Sequence, residues 1–313
     1  MPDSVFDRIA IIGAGLLGAS IALAAEGAEI ALYDADPSVR QRAKALGLGI
    51  VSDTIEECVT GADCIILCTP VGTFADVTQK IAPFLKPGAT LTDVGSVKGQ
   101  AALAMAEHCP KGVHVIPGHP IAGTEKSGPD AGFASLFEGR WHILTPPEGF
   151  GVSPDEAAAL ARLKSFWESL GATVEIMDPV RHDRVLAITS HLPHLIAYNI
   201  VSTAYDMESV DEGEVVKYSA GGFRDFTRIA ASDPTMWRDV FLSNKEAVLE
   251  TLGRFSEDLA ALQRAIRWGD GDMLFREFSR AKGIRQAIID AGQESDAVNF
   301  GRNMPSDDED TET

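Results

Sequence analysis

The chain has 313 residues, with 27 basic and 46 acidic side chains, a formal charge of −19 and 45% hydrophobic residues. That length corresponds to about two domains of ~150 residues and can bury a core without a metal or disulfide staple. So large an acidic excess excludes a general nucleic-acid binder and a polybasic membrane-surface protein, while a small anionic substrate needs only a locally positive pocket.

The first half alternates strand and helix signals, the pattern of a parallel sheet covered by helices. Arg8–Ile12 reads as an apolar strand and Leu16–Ala25 as a helix. The uncharged run Ile9–Ala25 is too short and too glycine-interrupted for a membrane span, and acids precede it where a signal peptide carries bases. Glu29–Tyr33 is a second strand, and Pro37–Leu46 a helix capped by Asp36. Strands follow at Asp63–Cys68, Thr90–Val94, Val113–Ile116, Trp141–Leu144 and Thr173–Met177, with helices over Thr73–Leu85, Val97–Glu107 and Pro154–Leu170. After Met177 the strand signals stop. Asp178-Pro179 is a helix start, and the spacing predicts helices over 179–205, 211–219, 234–268 with breaks, and 271–292. The expected organisation is a Rossmann-type doubly wound α/β domain over 1–178, an all-helical domain over 179–298, and a solvated acidic tail over 299–313. The four cysteines, Cys58, Cys64, Cys68 and Cys109, form no CxxC pair, and Cys64 and Cys68 sit in an apolar strand, which points to reduced thiols and a cytoplasmic protein.

Gly13-Ala14-Gly15-Leu16-Leu17-Gly18 is a GxGxxG sequence that follows a strand, opens a helix and precedes a strand ending in Asp34. In that context it predicts a dinucleotide site: Gly13 for the tight turn, Gly15 for backbone approach to the pyrophosphate, Gly18 for helix–strand packing. Asp34 suits the adenosine ribose hydroxyls and its charge repels a 2′-phosphate, which favours NAD over NADP. Ligands in such folds sit at the carboxyl ends of the strands, so Thr69-Pro70, Asp93–Lys98 and Gly118-His119-Pro120 are the segments expected at the reacting centre. A histidine between glycine and proline at a strand end is a candidate base, with an ordinary pKa near 6.5. Ser96 opens a helix, where an N-cap role and an active-site role coexist.

Four further motifs carry a resemblance: DVGSVKG at 93–99, GHPIAGTEKSG at 118–128, SHLPHLIAY at 190–198 and GGFRDFTRIAASDPTMW at 221–237. Together, and in this order, they resemble the prephenate/arogenate dehydrogenase family of tyrosine biosynthesis, from residue 8 to about residue 290. The resemblance implies a nucleotide-binding domain, a helical domain that makes a homodimer, and NAD-dependent oxidative decarboxylation of prephenate or arogenate. It also implies His119 as the group that takes or polarises the ring hydroxyl proton, with Ser96 orienting it near the nicotinamide. Arg228 matches the arginine that binds a substrate carboxylate, Trp237 a tryptophan of the pocket region, and His191 a residue reaching the substrate side chain. Arg224 reads as a surface charge and His194 as structural. His182 lies nine residues before His191, on the opposite face of a regular helix, and reads as a domain-interface residue. His191 and His194 lack a third ligand, so no metal is expected. The alternatives are a 3-hydroxyacid or 6-phosphogluconate type dehydrogenase, which the surroundings of Asn244-Lys245 do not match, and a non-catalytic NAD-binding regulator.

Overall fold

The computed structural model describes residues 4–124, 126–208 and 220–290. The helix expected over 211–219, the acidic tail and Glu125 of the GHPIAGTEKSG motif lie outside the described residues. The described chain falls into two compact units, divided between Thr251 and Leu252.

The first unit is built on a six-stranded parallel sheet of β1 (Arg8–Ile12), β2 (Glu29–Tyr33), β3 (Ile50–Val51), β4 (Cys64–Leu67), β5 (Thr90–Asp93) and β6 (His114–Val115), in the spatial order β3-β2-β1-β4-β5-β6. The order reverses beside β1, which places the crevice for a dinucleotide at the carboxyl ends of β1 and β4. β1 and β4 are apolar nearly throughout because helices cover both faces: Ile9 and Ile11 point to one core, Ala10 and Ile12 to the other. The crossovers are α1 (Leu16–Ala24), α2 (Pro37–Ala45), α3 (Ile55–Val59), α4 (Phe74–Ile81) and α5 (Gly99–His108). Asp36 caps α2 by accepting the Ser38 N–H at 2.8 Å, ahead of Pro37 at the first turn.

The later strands do not extend this sheet. β7 (Gly118–Pro120), β8 (Trp141–Leu144) and β9 (Thr173–Ile176) form a separate three-stranded sheet, with β7 antiparallel to β8 and β9 parallel to it. His119 therefore sits in the middle of a short strand, paired with Ile143, rather than at the end of a sixth or seventh parallel strand. A helix α6 (Pro154–Ser169), opened by a Ser153–Glu156 capping box, packs Leu163, Phe166 and Trp167 into the core beneath β8.

From Asp178 the chain is helical. α7 (Pro179–Leu186) passes into a π-helical stretch, Ala187–His191, and then into α8 (Leu192–Glu208). The wider turn lies just ahead of Pro193, which has no N–H to give, and the His194 ring satisfies the Ser190 carbonyl at 2.9 Å. The run 179–207 is long and apolar enough to cross a membrane by length and composition. Its polar residues His182, Asp183 and His191 are nevertheless buried in hydrogen-bonded contact with the strands and loops of the first unit. α9 (Gly221–Thr227) and α10 (Pro234–Ser243) follow, and α11 (Lys245–Trp268) begins after Asn244 and crosses into the second unit, which also holds α12 (Gly271–Asp290).

Candidate active site

The glycine loop has the geometry its spacing predicts. Gly13 has φ +104°, and a Cβ there would stand 2.7 Å from the Cys68 carbonyl oxygen. A Cβ on Gly18 would overlap the Gly13 carbonyl, whereas one on Gly15 would meet nothing within 4 Å. The first and third glycines are thus demanded by packing, and the second borders open space at the N-terminus of α1. That helix has no side-chain cap and no acid in its first turn, so its leading N–H groups are free for an anion. Leu16 and Leu17 open the helix itself. Both carboxylate oxygens of Asp34 hold main chain, one accepting the Ala14 N–H and the other the Asp36 N–H, each at 2.9 Å. Asp34 therefore fastens the glycine loop. Arg40 donates to the Asp34 carbonyl at 2.7 Å and lies over the Tyr33 ring. Beyond β4, the Thr73 hydroxyl donates to the Pro70 carbonyl and pairs with the Thr69 hydroxyl, both at 2.8 Å, which shapes the turn beside the loop. These residues fit a dinucleotide.

At the next two strand ends lies a buried ion pair. Lys98 and Asp93 are both fully buried and joined. Asp93 also accepts the N–H groups of Gly95 at 2.8 Å and Gly118 at 3.2 Å, and Lys98 donates to the Gly118 carbonyl at 2.7 Å. Burial pushes the Asp93 carboxyl up and the Lys98 ammonium down, against their mutual attraction. The pair clamps the first residue of β7 on both sides and so sets the position of His119.

His119 is buried, and its Nδ1 lies 2.9 Å from Nε2 of His182. His182 is fully buried, and its Nδ1 lies 2.8 Å from a carboxylate oxygen of Asp183. Burial, reinforced by the neighbouring His182 and Lys98, holds the His119 pKa well below its ordinary value, so the ring is neutral at pH 7. Ser96 is half-buried in the loop between β5 and α5, and the ring partner of His119 is His182 rather than the Ser96 hydroxyl. His182 and His191 are not the half-turn apart that a regular helix gives, because a π-helical stretch lies between them, and the Asn244 amide links the Asp183 carbonyl beside one to the ring of the other.

His191 is fully buried, and its Nδ1 lies 3.1 Å from the Asn244 amide nitrogen, which also donates to the Asp183 carbonyl at 2.8 Å. Its Nε2 is buried without a hydrogen-bond partner, and burial brings its pKa down to about 4. Trp237 is buried, stacks on His194 with ring centroids 3.7 Å apart, and meets the edge of His191. Its indole N–H is buried without a partner. Arg228 is half-buried directly after α9, and its charge adds to burial, the main cause, in lowering the His194 pKa, while Arg224 one turn earlier is exposed. Among the described residues no three His, Cys, Asp or Glu side chains are grouped as metal ligands are. Sequence reasoning missed Asp183 and Asn244. The adjacent His-Asp pair just inside a capped helix is a visible signal for the first; nothing local marks Asn244, which matters only because α10 ends there.

The family model described as prephenate dehydrogenase, nucleotide-binding domain, matches residues 19–176, and prephenate dehydrogenase, dimerization domain, matches residues 178–280. The cyclohexadienyl dehydrogenase of Zymomonas mobilis is 41% identical over 290 residues, covering 91% of this chain and 97% of that protein. The prephenate dehydrogenase of Bacillus subtilis is 34% identical, over 90% of this chain and 76% of its own length. Among solved structures, prephenate dehydrogenase from Aquifex aeolicus in complex with hydroxyphenyl propionate and NAD+ superposes with a TM-score of 0.81 at 36% identity, over 90% of this chain and 98% of that one. Synechocystis arogenate dehydrogenase gives 0.73 at 28% identity, over 90% and 99%. The two matched domains begin just after the glycine loop and take in the buried histidines and the Arg228 turn, and by them the chain belongs to the prephenate dehydrogenase family.

Proposed function

We propose that this chain oxidatively decarboxylates prephenate, arogenate or both, using NAD+, to 4-hydroxyphenylpyruvate or tyrosine with release of CO2. The observation that carries this reading is the buried, neutral His119, clamped by the Asp93–Lys98 pair at the carboxyl edge of a nucleotide-binding sheet, within a chain that matches both domains of the family. NAD+, when bound, would supply the hydride acceptor for the hydroxyl-bearing ring carbon. His119 draws on the hydroxyl proton as that carbon is oxidised and returns it to the same oxygen once the ring is aromatic, so no net proton is consumed. Gly13, Gly15, Leu16, Leu17, Gly18, Asp34, Thr69 and Pro70 hold the dinucleotide. Ser96 is assigned to the nicotinamide side of His119 on the family resemblance. Arg228 pairs with a substrate carboxylate through its planar fork, and His191 and Trp237 wall the pocket.

The functional division we propose is 1–178 for the nucleotide and 179–298 for substrate and dimer contacts, with Asp178 capping the first helix of the second part through the Arg181 N–H at 2.9 Å. The helical part leaves apolar side chains exposed, among them Ile188, Tyr205, Trp268 and Phe275, and a second copy of the chain covers them. The four cysteines are free, and burial raises each thiol's pKa, which supports a cytoplasmic setting. The test is NADH formation by the purified chain with prephenate and, separately, arogenate. Turnover with either supports the reading. No NADH with both, alongside normal NAD binding, overturns it in favour of a non-catalytic regulator.

A further inference from the structure

The ring that does the chemistry has two nitrogens, and only one of them can face a substrate. In water a neutral imidazole carries its proton mainly on Nε2, which would leave the outward nitrogen of a ring anchored through Nδ1 unable to act as a base. Which nitrogen is protonated is set by the hydrogen bond the other one makes. Here that bond belongs to a chain of buried groups running through α7.

A carboxylate only accepts hydrogen bonds. Asp183 is held as a carboxylate acceptor by two main-chain donors at the start of α5, the Lys98 N–H on one oxygen and the Gly99 N–H on the other, each at 2.8 Å. Its first oxygen lies 2.8 Å from Nδ1 of His182, so that nitrogen carries the proton. Burial disfavours a second proton on His182, leaving Nε2 bare. Nε2 is 2.9 Å from Nδ1 of His119, which must then be the protonated nitrogen of its own ring. The remaining nitrogen, Nε2 of His119, is left as a lone pair. Asn244 holds the far side of the chain through the Asp183 carbonyl at 2.8 Å.

We propose that Asp183 and His182 are positioning residues that fix His119 in the tautomer competent to accept the substrate hydroxyl proton. This rests on the reading of His119 as the base. When the substrate O–H bond breaks, an Nε2–H bond forms on His119, and the charge of the resulting imidazolium is shared along the Nδ1–H bond toward His182 and the Asp183 carboxylate. When the ring has aromatised, the same proton returns to the phenolic oxygen and the chain is restored. The charged or titratable groups facing His119 are His182 from α7, Lys98 from the loop ahead of α5, His142 from β8 and His191 at the end of the π-helical stretch. Three are histidines and one is a cation, so along this hydrogen-bonded chain the imidazolium is favoured by the carboxylate reached through His182, that of Asp183.

The test uses full-length enzyme labelled with 15N-histidine. In the wild type, two-dimensional spectra at pH 7 should show His119 with a protonated Nδ1 and a bare Nε2, assigned by loss of the signal in His119→Asn. Asp183→Asn and His182→Leu should shift that ring toward the Nε2–H form and lower kcat by about 10²-fold or more, with KM and NAD affinity within a few-fold of wild type. His182→Gln, whose side-chain oxygen can accept the Nδ1–H, should recover at least about tenfold over His182→Leu. Should Asp183→Asn fail to fold for want of its contacts with α5, the two His182 variants decide. A wild-type ring protonated on Nε2, or Leu and Gln variants with equal turnover, would overturn the proposal. Turnover of His119→Asn separates the two readings: near-normal activity there defeats the base assignment, whereas an inactive His119→Asn beside fully active His182→Leu defeats only the relay.

Discussion

At the scale of single residues, the site is a small number of charges placed in an acidic chain. Arg228 and Arg224 stand one turn apart, and burial separates them: the first is half-buried beside His194 and the second is exposed. Removing one partner of a desolvated charge pair costs ~3–5 kcal/mol, or about 200- to 5,000-fold. Arg228→Ala should therefore raise the KM for prephenate steeply, with a smaller effect on kcat and none on NAD affinity, because the clamp holds ground state and transition state alike. Arg224→Ala should change neither parameter by more than a few-fold. Steady-state kinetics of the two variants side by side check this, and equal effects would remove Arg228 from the clamp. Arg228→Lys should recover part of the loss, a point charge lacking the bidentate fork.

At the scale of elements, the three glycines before α1 separate folding from binding. A methyl group on Gly18 overlaps the Gly13 carbonyl, so Gly18→Ala must displace the loop and should lower stability by ~1–3 kcal/mol along with NAD affinity. On Gly15 the same methyl group meets open space. Gly15→Ala should keep the wild-type melting temperature and weaken NAD by at least about tenfold, since the intrusion is into the volume where the pyrophosphate docks. Thermal melts and NAD titrations of both variants give the contrast. These elements were legible in the sequence because their determinants are local: a strand, a turn that only glycine permits, a capped helix. The second sheet was not, because β7 is three residues long and its partner β8 lies more than twenty residues on, so nothing near His119 announces the pairing. The π-helical stretch was likewise hidden. Counting at 100° per residue put His182 and His191 on opposite faces, and one widened turn brought them into one cluster.

At the scale of the whole molecule, four buried histidines, His119, His142, His182 and His191, are all held below their ordinary pKa, with burial the first cause in each. Their folded pKa values lie under the unfolded value near 6.5, so the unfolded chain binds protons that the native state refuses. Their contribution to stability is therefore complete above pH 6.5 and is lost as the pH falls toward the folded values, about 4 for His191. Each can cost up to ~1.4 kcal/mol per pH unit within that window. Thermal or urea unfolding from pH 8 to pH 5 should show a plateau above about pH 7 and a fall below about pH 6.5, with His142→Phe, at a ring stacked on Trp167, making the fall shallower. A stability profile flat down to pH 5 would contradict the burial of these rings as neutral species.

The π-helical stretch also makes α8 behave like a gear meshed one tooth out of step with α7. Each residue of an α-helix turns its successor by about 100°, and the wide turn already absorbs an extra residue, so inserting one more into 187–190 would rotate everything beyond it. His191, His194 and the outward apolar side chains Ile200 and Tyr205 would swing together, and His182, upstream, would stay in place. The segment thus tolerates substitution at its exposed positions Ile188 and Thr189 far better than an added residue. A single insertion there should disable turnover and subunit pairing in one stroke, which gel filtration and NADH formation on the same preparation would register together.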